Sequence, residues 1–413
     1  MIARQVPLGA YALFAALLAS AGLPIYMHAP KFYVDAYGVG LPALGVVLFG
    51  LRLVDVVQDP LLGMLAGRLR HRGFAAAVAA ALLAAAMVGL FAVVPPVAPL
   101  LWFALTLALL FSAFSFLTIL FYATGVQRAK DVQGSHLRLA AWRETGGLIG
   151  ICVAAVAPVA LGAWLSQPFA GFAVGFLVLA AVATIAMHSE WQAAGAGPDI
   201  GLNALRPVLA DGPARRLLLV ALMNAAPVAV SSTLFLFFVD ARLSAAGAEG
   251  PLLLLFFACA ALAAPIWSAL ARKFGAKKML LTAMGLSIVA FAGAVTLQAG
   301  DVALFAVICA ASGAAVGADM TLLPALFAHR MAQIVPEASI GFGLWSFVNK
   351  AALAVAAIAL LPLLGAFGFQ SGSENTESAL WALTVLYAAL PCVLKACAAL
   401  LLLMTSLEDI QDV

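Results

Sequence analysis

Charged side chains are scarce in this sequence of 413 residues, because Asp, Glu, Lys and Arg together make up 9% of it while hydrophobic residues make up 65%. A soluble domain has about 25% charged and roughly 45–50% apolar residues. The chain therefore has too little charge for a soluble enzyme and too much apolar side chain for a disordered segment. Apolar runs of ~20 residues, the length that crosses a bilayer core, fill most of the sequence. We predict an integral membrane protein whose surroundings are the lipid bilayer.

Cysteines and catalytic motifs are also few. The 5 cysteines lie in apolar stretches without a Cys-x-x-Cys spacing, which excludes a disulfide scaffold. The sequence has no glycine-rich phosphate loop ending in Gly-Lys and no His-Glu-x-x-His helix. We therefore expect a protein that is not an enzyme and has no cofactor, apart from a coupling ion. The net charge of +3 gives no indication of a nucleic-acid partner.

Charged residues, prolines and glycines divide the apolar runs into twelve predicted spans. These spans lie near residues 8–29, 40–66, 74–94, 99–126, 137–163, 168–187, 216–240, 251–271, 279–298, 302–328, 339–366 and 379–404. They account for most of the chain, so no separate soluble domain is expected. The sequence predicts an all-α membrane protein of twelve transmembrane helices.

Lys and Arg residues are divided unevenly between the two ends of these spans. Fifteen of them fall in the loops on one side, whereas only Lys31 and Arg242 fall on the other. Loops rich in Lys and Arg stay in the cytoplasm. The sequence therefore predicts a multi-pass protein of the bacterial inner membrane with both termini in the cytoplasm.

The predicted spans fall into two groups of six on either side of the longest hydrophilic stretch. We predict three segments, which are a first six-helix bundle, a cytoplasmic linker and a second bundle: 1–187, 188–215 and 216–413. A turn of glycine and basic residues follows the second helix of each half, at 67–73 and 271–278. Loops that merely obey the orientation rule would also be basic. Together with the equal halves, however, the pattern resembles the major facilitator superfamily, in which the substrate site lies between two such halves.

Six ionisable residues stand out inside the predicted spans, where each costs about 2.5–3.5 kcal/mol on insertion scales and marks a functional site by default. They are Arg52, Asp55, Asp59, Asp319, Lys350 and Lys395.

Three of these residues, Arg52, Asp55 and Asp59, share one face of the second predicted helix. Two buried carboxylates one turn apart do not both stay ionised unless a Na⁺ ion, a proton or a lysine relieves their repulsion. Lys350, in the other half, is the predicted lysine, and a charge pair between the halves would act as a switch that a cation competes for. The alternative is an ion-pair latch without any transport chemistry.

The residues around these charges resemble one particular family. Segments 26–38 and 52–63, the run 138–144 and the pair Asn349 and Lys350 are similar to the melibiose-permease family of glycoside–pentoside–hexuronide:cation symporters. The resemblance implies a monomeric symporter that couples Na⁺ or H⁺ to a small, sugar-like solute by alternating access.

The resemblance also implies roles for individual residues. Asp55 and Asp59 would be cation ligands, with Asp59 as the coupling residue, and Lys350 would interact with both carboxylates. Arg143 would lie beside the sugar or at a gate, and Arg52 would help to close the outer side.

Two departures from the family concern its sugar-binding acids. The matching parts of the first and fourth helices, at 17–21 and 114–118, carry no acidic residue. The solute could therefore be a different sugar, or a lysolipid or other amphiphile on the same fold. Ser115 or Thr118 could supply a further cation ligand.

Weaker signals come from aromatic and polar residues inside the spans. Trp142 and Trp345 could stack on a sugar ring or could simply pack at the membrane interface. Asn224, on the seventh predicted helix, offers a hydrogen bond. Asp319 could pair with Lys395 or line the cavity, and the sequence leaves both alternatives open.

Overall fold

Apolar helix-forming runs determine the architecture seen in a computed structural model of the chain. The structure describes residues 8–129, 135–191, 205–245, 247–334, 338–369 and 375–405, and every regular element in this part of the chain is helical. The α-helices are α1 Leu8–Ser20, α2 Leu23–Tyr37, α3 Leu41–Arg68, α4 Arg72–Phe91, α5 Pro99–Ala129, α6 Ser135–Leu161, α7 Pro168–Met187, α8 Arg206–Ala210, α9 Gly212–Phe237, α10 Glu249–Phe274, α11 Ala276–Ala292, α12 Val302–Ile334, α13 Ala338–Ala366, α14 Glu377–Thr384 and α15 Leu390–Leu403. The predicted all-α fold is confirmed.

Ten helical segments among the described residues are long and apolar enough to cross a membrane, and α1 is a shorter apolar helix. Two of these segments end in or contain a π-helical turn, which covers Phe238–Arg242 after α9 and Val385–Ala389 between α14 and α15. Each predicted span coincides with helical residues, so the apolar runs located the helices well.

The prediction of one continuous helix for the first span, at 8–29, is wrong. The helix stops at Ser20, and a new helix runs from Leu23 to Tyr37. Pro24 lies in the first turn of α2. Proline has no backbone N–H, so it fits the first turn of a helix, where that group has no partner, better than the interior of one continuous helix. The chain turns at 21–22 and a second helix begins at Leu23.

The chain divides into two compact units. The first comprises Met1–Val208 and Met331–Phe347, and the second comprises Leu209–Arg330 and Val348–Val413. The helix α13 therefore contributes its first part to one unit and its remainder to the other. The predicted cytoplasmic termini and residues 192–204 of the predicted linker lie outside the described residues.

In the first unit, α6 lies directly against α1 through two glycines spaced four residues apart. A methyl group on Gly146 would lie 2.1 Å from the carbonyl oxygen of Ala12, and one on Gly150 would lie 2.4 Å from that of Ala16. Residues four apart share a helix face. Only glycine allows this approach, as in the small-residue contacts by which membrane helices associate.

The second unit repeats this device between α10 and α12. A methyl group on Gly313 would lie 2.2 Å from the carbonyl oxygen of Phe256, and one on Gly317 would lie 2.6 Å from that of Ala260. Each unit is thus held at one crossing by a pair of glycines with the same spacing.

The first of these contacts can be tested with two neighbouring glycines. We expect Gly146→Ala to lower the melting temperature of the purified protein, because its methyl group overlaps the α1 backbone and overpacking costs about 1–3 kcal/mol. Gly147→Ala is the matched control, since its methyl group would lie 3.8 Å from the nearest atoms. Thermal unfolding in detergent measures both variants, and equal melting temperatures would contradict the assigned contact.

At the start of α9, Asp211 ties two helices of the second unit together. Its Oδ1 accepts from the Ala214 amide at 2.8 Å, which caps α9, and from Arg330 Nε at 3.0 Å. Its Oδ2 accepts from Arg330 Nη2 at 2.5 Å. The Arg330 hydrogen bonds, assisted by the Ala214 amide, hold the pKa of the Asp211 carboxyl below its usual value, against the opposing effect of burial. The ionised form therefore stabilises the fold.

This pair predicts a pH-dependent stability difference. Asp211→Asn keeps a good helix cap but loses the charge, and we expect a loss of about 0.2–1 kcal/mol at neutral pH because the pair is partly open to solvent. A lowered carboxyl pKa gives stability that is present above the unfolded value of about 3.9 and lost as the pH falls through the folded value. Melting curves of both proteins should therefore converge below about pH 4. A difference that does not change with pH would argue against the ion pair.

Candidate functional site

The two acidic residues of α3 are buried in the first unit. Asp55 is 4% exposed and Asp59 is 0% exposed. They lie one helical turn apart, so both occupy the same face of α3. Val54 and Val57, which lie away from that face, are 58% and 65% exposed. The helix thus turns its acids inward and its apolar residues outward.

Hydrogen bonds join the first of these acids to α5. Ser115 Oγ and Gln58 Nε2 each donate to Asp55 Oδ1 at 2.9 Å. Ser112 Oγ donates to Gln58 Oε1 at 3.0 Å. These four residues form what we term the α3–α5 polar cluster. A cluster of this kind offers carboxylate, hydroxyl and amide oxygens, the atoms that a hard cation prefers as ligands.

Of the two hydroxyls considered as a further cation ligand, the structure brings one to the acids. Ser115 contacts Asp55, whereas the buried Thr118 hydroxyl forms no hydrogen bond with any described residue. The assignment of Ser115 as a ligand stays a prediction. Gln58 and Ser112 were missed, although both are polar residues in apolar spans and lie three residues from Asp55 and Ser115, which is a detectable signal.

The second acid of α3 lies where this helix crosses the first part of α13. A methyl group on Gly343 would lie 2.9 Å from the carbonyl oxygen of Asp59, and one on Gly63 would lie 2.8 Å from that of Ser339. The backbone at Asp59 is therefore held by close helix contact.

A second polar group of the first unit surrounds Arg143 on α6. Arg143 and Glu144 are 5% and 6% exposed, and Arg143 Nε donates to Glu144 Oε1 at 2.8 Å. Tyr122 OH donates to the same oxygen at 2.8 Å, and its ring centroid lies 3.7 Å from Arg143 Cζ. We term these three residues the Arg143 cluster.

One nitrogen of the Arg143 guanidinium has no hydrogen-bond acceptor among the described residues. Arg143 Nη2 is buried and forms no hydrogen bond within the described part of the chain. Since Glu144 balances the charge of Arg143, the open N–H group can donate to a neutral acceptor such as a hydroxyl oxygen. The role of Tyr122 was missed, because nothing in its sequence neighbourhood distinguishes it from other aromatic residues of the spans.

The predicted residues of α13 are divided between the units. Trp345 belongs to the first unit, whereas Asn349 and Lys350 belong to the second, and all three are partly buried. The interaction of Lys350 with Asp55 and Asp59 therefore stays a prediction.

Two further predicted residues contribute less to the geometry. Arg52 lies within α3, but its side chain is outside the described part of the structure. Trp142 is 46% exposed, so its ring lies on the surface of the protein. The stacking role predicted for Trp142 has no observed contact to support it.

In the second unit the structure shows the charge partner of Asp319. Lys395 Nζ donates to Asp319 Oδ2 and, at 2.7 Å, to Asn224 Oδ1. Asp319 therefore pairs with Lys395. Sequence reasoning considered Asn224 separately and did not connect it with these charges, because the three residues lie on α9, α12 and α15.

Comparison with known proteins places these features in a family. A family model described as MFS/sugar transport protein matches residues 9–409. No curated protein matches the chain. Among solved structures, the chain is similar to a bacterial homologue of the iron transporter ferroportin in an outward-facing state, with a TM-score of 0.70 and 15% identity over 96% of this chain and 99% of that one. The same homologue with soaked iron gives a TM-score of 0.69 at 15% identity, with the same coverage. At this identity the likeness shows the fold alone, which is the predicted major facilitator fold.

Proposed function

Because the chain belongs to the MFS/sugar transport protein family, and so is a secondary transporter rather than an enzyme, we propose that it is a cation-coupled symporter. It would move a sugar-like organic solute across the bacterial inner membrane by alternating access. The observation that carries the proposal is the pair of buried carboxylates, Asp55 and Asp59, one turn apart on α3.

The cation step follows from the cost of burying this pair. Two neighbouring carboxylates carry like charges that repel each other, and a cation bound between them would relieve that repulsion. The α3–α5 polar cluster supplies the oxygen of Ser115 next to Asp55. We assign Asp55 and Asp59 as the cation site and leave Na⁺ and H⁺ as the two coupling ions to be distinguished.

Lys350 is the proposed coupling residue. Its ammonium would compete with the cation for the α3 carboxylates, so cation binding would release one half of the transporter from the other. A ligand shifts a conformational equilibrium only by its differential affinity for the two states. Such competition would provide that difference.

The Arg143 cluster supports a hydroxylated solute. The open N–H of Arg143 can donate to a hydroxyl oxygen. Near it, the Tyr122 ring packs against Phe342 with 5.2 Å between ring centroids, and aromatic rings suit the apolar faces of sugars. We therefore propose that Arg143 binds the solute. Trp345 and Asn349 are further candidates for the solute path.

Two other substrates receive less support. A lysolipid would need an apolar surface at the acid-free part of the first helix, but Leu17 and Leu18 are 0% and 5% exposed there. The second substrate is iron, because the similar solved structures are of a homologue of an iron transporter. Within the described residues, however, no group of three or more His, Cys, Asp and Glu side chains could hold a metal ion.

The proposal predicts the effect of removing one charge from α3. We expect Asp59→Asn to lose uphill accumulation of solute, because the coupling ion no longer has its ligand, while exchange at equal solute concentrations continues. The measurement is uptake of labelled melibiose, lactose, D-glucose and D-xylose into proteoliposomes under an imposed Na⁺ or proton gradient. Asp240→Asn is the control, since Asp240 is an exposed carboxylate beyond the end of α9 and should leave accumulation unchanged.

In the unmodified protein, the coupling ion is the one whose imposed gradient, of Na⁺ or of protons, drives uphill uptake of the solute. Unchanged concentrative uptake by Asp59→Asn would contradict the assignment. Thermal stability measured with the same sugars and with lysophosphatidylethanolamine distinguishes the solute classes, because a ligand at 100 times its Kd adds about 2.7 kcal/mol. Stabilisation by the lysolipid alone would replace the sugar-like solute with an amphiphile.

A further inference from the structure

Three buried polar residues meet in the second unit, away from the α3 carboxylates. Asn224 on α9, Asp319 on α12 and Lys395 on α15 are 6%, 7% and 2% exposed. Lys395 Nζ donates to Asn224 Oδ1 at 2.7 Å and to Asp319 Oδ2. We term these residues the second-unit triad. Each lies well inside a membrane-spanning segment.

Packing alone is a poor reason for such a triad. Removing two charges from water costs several kcal/mol per ion, and well-packed apolar residues of similar volume often hold helices together as well or better. Ionisable residues inside membrane spans are accordingly associated with substrate and ion pathways. We therefore looked for a ligand that the triad could bind.

One acceptor atom and one donor group of the triad form no hydrogen bond with the described residues. Asp319 Oδ1 is buried and accepts no hydrogen bond from any residue in the described ranges. An ammonium can only donate, so the Asn224 amide turns its oxygen to Lys395 and its NH₂ group to the other side. That NH₂ group has no acceptor among the described side chains.

The charges of the triad restrict which ligand fits these open atoms. A cation would meet the Lys395 ammonium, which already balances Asp319. An anion would be repelled by the negative charge of the Asp319 carboxylate, whose Oδ1 accepts no hydrogen bond from a described residue. A hydroxyl group meets neither difficulty, since it donates one hydrogen bond and accepts others.

We propose that the second-unit triad binds a hydroxyl of a neutral polyhydroxylated solute, which donates to Asp319 Oδ1 and accepts from the Asn224 amide. The inference rests on the proposed function in that the solute is the one transported. In this proposal, the carboxylate that recognises the sugar is Asp319, in the second half of the chain. The first and fourth predicted helices, where the resembled family has its sugar-binding acids, carry none in this chain.

The test uses the purified full-length protein and the sugars melibiose, lactose, D-glucose and D-xylose as probes. We expect at least one of them to raise the melting temperature and to exchange across proteoliposomes. Asp319→Asn should weaken that sugar by about 10- to 100-fold in both KM for exchange and Kd from thermal shifts, since a hydrogen bond to a charged group is lost. Ser312→Ala is the matched control, because Ser312 is buried on the same helix and bonds only to its own backbone, at Ile308 and Cys309.

A second variant covers the case in which Asp319→Asn does not fold because Lys395 is left buried without its partner charge. Asp319→Leu combined with Lys395→Met removes both charges and should melt no lower than the unmodified protein. Its exchange of the sugar should nevertheless be lost.

Unchanged KM and Kd in either folded variant would overturn the proposal and leave the triad a packing device. Failure of all four sugars to stabilise the protein, or stabilisation by lysophosphatidylethanolamine only, would overturn it as well. Exchange is measured at equal ion concentrations on both sides and needs no coupling. Its outcome is therefore independent of Asp59→Asn, which tests the cation site alone.

Discussion

Placing a charge inside a bilayer costs about 2.5–3.5 kcal/mol on insertion scales, and this cost decides how the few charges of the chain are arranged. Arg143 lies against Glu144, and Lys395 lies against Asp319. Asp55 accepts two hydrogen bonds from polar neighbours. An unpaired charge at any of these positions would carry this cost in full, and the polar residues occur in groups that join different helices.

The same scarcity of polar groups makes close packing the main source of contact between helices. Lipid tails are as apolar as leucine, so helices in a membrane associate through van der Waals contact rather than by escaping water. The glycine pairs at α1–α6 and α10–α12 permit this contact in each unit. A third glycine crossing, at Gly63 and Gly343, lies beside Asp59. Close helix packing and a buried carboxylate thus occur at one place in the first unit.

Three polar groups have separate proposed roles, one in binding the cation and two in binding the solute. The α3–α5 polar cluster is suited to a cation, because it offers the carboxylate, hydroxyl and amide oxygens that a hard cation prefers as ligands. The Arg143 cluster and the second-unit triad each pair one acid with one base, and each leaves a polar atom, Arg143 Nη2 or Asp319 Oδ1, without a hydrogen bond among the described residues. Balanced charge with open donors and acceptors is suited to a hydroxylated solute rather than an ion. The kind of open atom, a set of oxygen ligands in one case and a hydrogen-bonding group in the other two, therefore separates the proposed ion site from the proposed solute contacts.

The sequence by itself determined the membrane class, the all-helical fold and the position of nearly every helix, because apolar runs of bilayer length admit no other structure. It also located the acids of α3, since an ionisable residue stands out in an apolar span. Only the tertiary structure decided that the first span is broken at 21–22, that Ser115 rather than Thr118 meets Asp55, and that Asn224 joins Asp319 and Lys395. These contacts depend on how helices distant in sequence rotate and approach one another. Helical periodicity describes the faces of one helix but does not contain that information.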